Sequence, residues 1–234
     1  MGITEKILGP KVPPEEAHKH WARYQVPRIL FVAAAVLLVV SIFFPYWNLR
    51  LVAPQYPKGL HVQAYVNRLE GETVRGLNAL NELEELNHYV GMASFEGGAT
   101  LERSVAVIAI VAVAGILLAA LVFRSRWVVL FTIPALLFPF LFLADLQFWL
   151  WRYGHTLDPS APLAGAVGDF TPPVLGPAQI ANFETLALPG LGLYLAFAAT
   201  ILIAVGLVLH RRAYKPLVDE AESATGTTGG TDAG

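Results

Sequence analysis

Residues 28–47, 104–123, 127–151 and 188–209 are apolar runs that carry almost no charge. At about 1.5 Å per residue each is long enough to cross roughly 30 Å of hydrocarbon. A backbone in lipid must satisfy its own hydrogen bonds, so these runs predict helices. Composition agrees, with 55% hydrophobic and 15% charged residues and a mean hydropathy of +0.54, too apolar for an ordinary soluble domain. The expectation is an all-α membrane protein with four transmembrane helices.

Lys and Arg set the orientation. Lys6, Lys11, Lys19, Arg23 and Arg28 precede or open the first run, Arg124 and Arg126 lie between the second and third, and Arg211, Arg212 and Lys215 follow the fourth. In residues 48–103 the basic residues are diluted and outnumbered by Glu, and residues 152–187 hold only Arg152. The positive-inside rule therefore predicts both termini in the cytoplasm and both long connections outside, in a multi-pass protein of the cytoplasmic (inner) membrane. The first run is too long for a signal-peptide core, and Phe44-Pro45-Tyr46-Trp47 offers no small-residue cleavage site, so it reads as an uncleaved anchor.

The segments between the runs differ in character. Residues 1–27 include Pro13-Pro14-Glu15-Glu16, a helix-start signal, and Trp21 and Tyr24 suggest a short amphipathic helix on the cytoplasmic surface. His18 and His20, two apart, diverge on a helix and read as solvated. In residues 48–103, Asn48–Val52 and Leu60–Leu69 read as strands, with His61 on the polar face of the second. Leu80, Leu83, Leu86 and Val90 predict a helix over about 78–91 with Glu82, Glu84 and Glu85 on its other side. The connection is thus a small extracytoplasmic α+β domain, too thin in hydrophobic residues to stand without the membrane, the second loop or a partner. Residues 152–187, rich in Pro and Gly, read as a functional loop or partner surface. Pro134 and Pro139 predict a third helix kinked or irregular near its middle, and residues 210–234 predict a cytoplasmic tail, disordered after about 216.

Chemistry is sparse. The absence of Cys excludes disulfides, iron–sulfur clusters, thiolate zinc, covalent haem and a cysteine nucleophile. No nucleotide loop or hydrolase motif is present, no histidine lies mid-span for a b-type haem, and the near-neutral charge gives no sign of nucleic acid. The chain reads as non-enzymatic. His88 and Met92 lie four residues apart and would share a helix face, with His61, His155, Glu84, Glu96 and Asp158 on the same predicted side of the membrane. Imidazole and thioether suit copper. The alternative is that Met92 packs inward while His88 and Tyr89 hydrogen-bond across the loop. Asp145 is either a proton or ion site or a carboxylate shallow enough to reach interfacial water or to pair with Arg152, seven residues on.

Phe44-Pro45-Tyr46-Trp47, the string Leu51-Val52-Ala53-Pro54-Gln55-Tyr56-Pro57-Lys58-Gly59-Leu60, Gly76-Leu77-Asn78, Leu86-Asn87-His88-Tyr89-Val90-Gly91-Met92 and the stretch from Phe170 to Phe183 together resemble the small multi-span membrane proteins encoded beside atypical, clade II nitrous oxide reductases. The likeness covers both long connections and the helices between them. It implies support of an extracytoplasmic copper enzyme through copper handling, docking or assembly of its electron supply, with that enzyme or its maturation and electron-transfer proteins as partners in a hetero-oligomer. Two rival expectations stand beside it: a structural subunit of a larger respiratory complex, and a proton- or ion-conducting component using Asp145.

Overall fold

The computed structural model describes residues 7–74, 76–180 and 182–228. In chain order it comprises α1 (Pro14–Lys19), α2 (Trp21–Ser41), β1 (Trp47–Ala53), β2 (Tyr56–Ala64), β3 (Leu69–Gly71), β4 (Thr73–Val74), β5 (Leu77–Asn78), α3 (Ala79–Val90), α4 (Thr100–Ala119), α5 (Val128–His155), α6 (Ala164–Val167), β6 (Gly176–Ile180), β7 (Phe183–Pro189) and α7 (Leu191–Thr228). Among the described residues 4 helices, α2, α4, α5 and α7, are long and apolar enough to cross a membrane. Large apolar side chains stay bare on them, including Ile108 at 72%, Ile201 at 63% and Leu141 at 60% exposure. Water penalises such surface and lipid does not.

The chain falls into two compact units. One, built from Met1–Val39, Val111–Leu137 and Phe197–Gly234, packs through small residues: Ala34, Ala120, Ala135, Ala199 and Ala213 are fully buried. Small side chains let helix backbones approach, the usual mode of packing where hydrophobicity supplies no drive. A side chain at Gly206 would press on Phe31. Helix ends here are tied by polar contacts, His210 Nε2 lying 3.0 Å from the Phe123 carbonyl and Arg23 donating to the Arg212 carbonyl at 3.0 Å.

The other unit, Val40–Ile110 with Phe138–Ala196, carries the sheet. Five antiparallel strands run in the order β3-β2-β1-β7-β6, so the two long connections share one sheet. β1 is the joint: Leu51 faces Leu60 on one side and Thr185 on the other. Alternation explains which face is inside. Leu51, Ala53, Leu60 and Val62 point under α3 to meet Ala79, Leu80 and Leu83, while Arg50, His61 and Gln63 point away and are exposed.

α3 forms where its signals say. Asn78 caps it by accepting from the Leu80 N–H at 2.9 Å, and Gly91 ends it at φ 88°. The Gly91 and Met92 N–H groups both return to the Asn87 carbonyl, at 2.9 and 2.8 Å, a left-handed helix stop.

Several expectations change. The strands of residues 176–189 make the fold a four-helix membrane protein with an antiparallel sheet drawn from both long connections, where all-α with one small α+β loop domain between the first two helices was expected. A loop that looked irregular for its Pro and Gly in fact completes the sheet. The first spanning helix starts at Trp21 and stops at Ser41, so Trp21 and Tyr24 belong to it, and Trp47 opens β1 instead of closing a helix. α7 continues to Thr228, past the point where the tail was expected to lose structure; residues 229–234 lie outside the described ones.

Candidate functional site

The proposed copper ligands begin with α3. His88 is exposed in its last turn, but the left-handed Gly91 breaks the helical phase before Met92. Met92 is half-buried beyond that stop, where the four-residue spacing of a helix no longer applies. His61 is exposed on β2 directly across from Arg50. The Arg50 side chain runs over Gly59 and its guanidinium donates to the Lys58 carbonyl at 3.3 Å.

His155 closes α5, with its Nδ1 donating to the Trp151 carbonyl at 2.9 Å and its ring stacked on Trp151 at 5.0 Å. That contact leaves Nε2 free. The structure does bring His88 into electrostatic range of Asp158, whose carboxyl is held below the usual carboxylate range first by the Ser160 hydroxyl and backbone hydrogen bonds and least by His88. Among the described residues, no group of three or more His, Asp or Glu side chains is placed to hold a metal ion. Asp145 is half-buried on α5. Within 4.0 Å the one ion pair among the described residues is Arg68 with Glu70, so Arg152 does not pair with Asp145 and instead lies over the Trp149 ring at 5.8 Å.

Two features that sequence reasoning missed occupy the same unit. The first is the open face of the sheet, where Arg50, Val52, Pro177, Gln179, Glu184 and Leu186 line a shallow depression of about 510 Å³. Its signal was the alternation in residues 183–189, hidden by the prolines around it. The second is a recess of about 200 Å³ beside α3, walled by Tyr56, Glu82, Glu85, Tyr89, Leu163 and Phe183. Glu82, Glu85, Leu86 and Tyr89 recur at helical spacing, so they share a face of α3 distinct from the Leu80 and Leu83 face. That spacing was readable, and only its partners on β2 and β7 were not.

The Tyr56 hydroxyl donates to Glu82 Oε2. Its ionisation is pushed up to about 12, first by that hydrogen bond, then by burial, then by the charges of Glu82 and Glu85. A raised tyrosine pKa stabilises the fold below about pH 10, where the free phenol would ionise, and that contribution is lost as pH climbs through about 12. In an absorbance titration of phenolate, Glu82→Gln is expected to bring one late-ionising tyrosine back toward 10, and Tyr56→Phe to remove it.

The helices and the sheet define a class, a membrane protein of four apolar helices with a small antiparallel sheet. No protein-family model and no curated protein sequence matches the chain.

Proposed function

We infer that the chain is a non-enzymatic membrane-anchored accessory subunit whose sheet domain docks a protein partner outside the cytoplasm. The observation that carries this reading is the sheet itself. It draws strands from both long connections, packs one face under α3, and leaves the other open with Arg50, Gln63, Glu184 and Leu186 upon it. Mixed polar and apolar groups on a rigid support are what a docking surface needs. The distribution of Lys and Arg supports an extracytoplasmic sheet and cytoplasmic termini, and the resemblance drawn from the sequence supports a copper enzyme of the nitrous oxide reductase type as the partner. Docking is favoured over copper handling because His61, His88 and His155 stand on separate elements and Met92 lies past a helix stop.

Purification of the tagged chain from its native membranes in mild detergent tests this. A partner in fixed ratio is expected, reduced at least about tenfold by Arg50→Glu with Leu186→Glu, a change that places like charges and a buried carboxylate in the interface. Recovery of the chain alone, or undiminished partner with the variant, would overturn the proposal. Titration of the purified chain with Cu(I) against a chelator is the companion measurement. A stoichiometric site lost in His88→Ala with Met92→Ala would move the function to metal handling.

A further inference from the structure

The recess beside α3 brings aromatic rings and acidic side chains together. Its walls include three aromatic rings, Tyr56, Tyr89 and Phe183, and two carboxylates, Glu82 and Glu85, with no Lys or Arg among its lining residues. Among the described residues, neither carboxylate has a cationic partner within 4.0 Å. Glu82 receives the Tyr56 hydroxyl on Oε2, which fixes the carboxylate in the wall of the recess. The charges of Glu82 and Glu85 both favour the neutral form of the Tyr56 phenol, in keeping with an acidic lining.

Size and chemistry narrow the occupant. About 200 Å³ is below the range of pockets that enclose drug-sized ligands or nucleotides, and it suits one compact head group. A divalent metal ion is a poor match. Hard cations of this kind take six or more oxygens, whereas no third acidic or histidine side chain joins the pair. An anion is repelled outright. An organic cation satisfies both kinds of wall at once, because ring faces attract such charge and carboxylates pair with it.

We propose that the recess formed by Tyr56, Glu82, Glu85, Tyr89 and Phe183 is a binding site for an organic ammonium group, carried either by a small solute or by a lysine of a protein. The site does not depend on the docking reading, and its test contains no partner.

The probe is tetramethylammonium, titrated onto the full chain in detergent and followed by saturation-transfer NMR, with 3,3-dimethylbutanol as a neutral control of similar shape. Saturable binding of the cation with no saturable binding of the alcohol is expected. Glu85→Gln, at an exposed side chain whose replacement leaves the fold intact, is expected to weaken it roughly tenfold, and Tyr89→Leu by a factor of about 3–10, the range of a single cation–π contact. Equal binding of cation and alcohol, absence of binding, or unchanged affinity in both variants would overturn the proposal. Competition by choline and by Nα-acetyl-lysine amide then separates the two sources, the stronger competitor identifying the natural carrier.

Discussion

Replacing Trp47 by alanine is expected to cost the folded state about 3–5 kcal/mol, the range for deleting a large aromatic from a packed core. Trp47 is 6% exposed and packs with Ala64, Ala187 and Leu150, residues of β2, β7 and α5. Its indole N–H donates to the Val174 carbonyl at 2.6 Å. One side chain therefore joins strands from both long connections to a spanning helix. Removing it opens a cavity and orphans a carbonyl in the same step. Trp47→Phe separates the two effects, keeping most of the packing and losing only the hydrogen bond, worth about 1 kcal/mol. Thermal unfolding in detergent, with limited proteolysis of the segment around Val174, reads both. If Trp47 instead lay in the headgroup belt, alanine there would shift the midpoint little and leave proteolysis unchanged.

Gly154→Ala is the second large effect, and its sign is informative. Helix propensity alone favours alanine over glycine by about 1 kcal/mol. At Gly154, in the last turns of α5, a Cβ would come within 1.8 Å of the Phe170 carbonyl oxygen, which is backbone and cannot rotate aside. The Phe170 N–H also donates to the Gly154 carbonyl at 3.1 Å, so the second connection crosses the helix in backbone contact there. Overpacking of this kind costs about 1–3 kcal/mol or more, and destabilisation is the expected result. Gly165→Ala is the control. Nothing lies within 4 Å of its Cβ position, so it is expected to be neutral or slightly stabilising. Stabilisation at both positions would mean that the second connection does not cross the helix.

Much of this architecture is legible in residue order where the signal is local. The four apolar runs are visible because lipid demands length and lack of charge together, and α3 is visible because Asn78, the Leu80-Leu83 spacing and Gly91 lie within one short stretch. What stayed hidden is non-local. β7 reads as loop because Pro189 and the Pro-rich stretch before it mask its alternation, and its pairing with β1 joins residues far apart in sequence, Trp47 with Pro189. Trp47 itself is ambiguous by type, since a buried core and a headgroup belt both accept indole. The continuation of α7 through Leu217–Ser223 was masked by the Gly and Thr that follow, although Leu, Glu and Ala are strong helix formers.

The candidate sites divide along the same line. His61 fell on the open face of its strand as alternation required. Met92 lies past Gly91, the left-handed residue that ends α3, and a spacing rule holds only while the helix does. The Tyr56–Glu82 pair could not be read in advance, since it needs the β1–β2 turn to swing Tyr56 onto α3. One half of that pair was nevertheless written on α3 as the shared face of Glu82, Glu85 and Tyr89.

The most direct test is sidedness. The chain has no cysteine, so single cysteines are unambiguous reporters. Ala93→Cys and Ala166→Cys place an exposed thiol on each of the two long connections, and Ser223→Cys places one on the C-terminal part of α7. With a membrane-impermeant maleimide on intact cells, the first two are expected to label without lysis and Ser223→Cys only after it. Labelling of Ser223→Cys alone in intact cells, or labelling of Ala93→Cys and Ala166→Cys from opposite sides, would contradict an extracytoplasmic sheet shared by both connections.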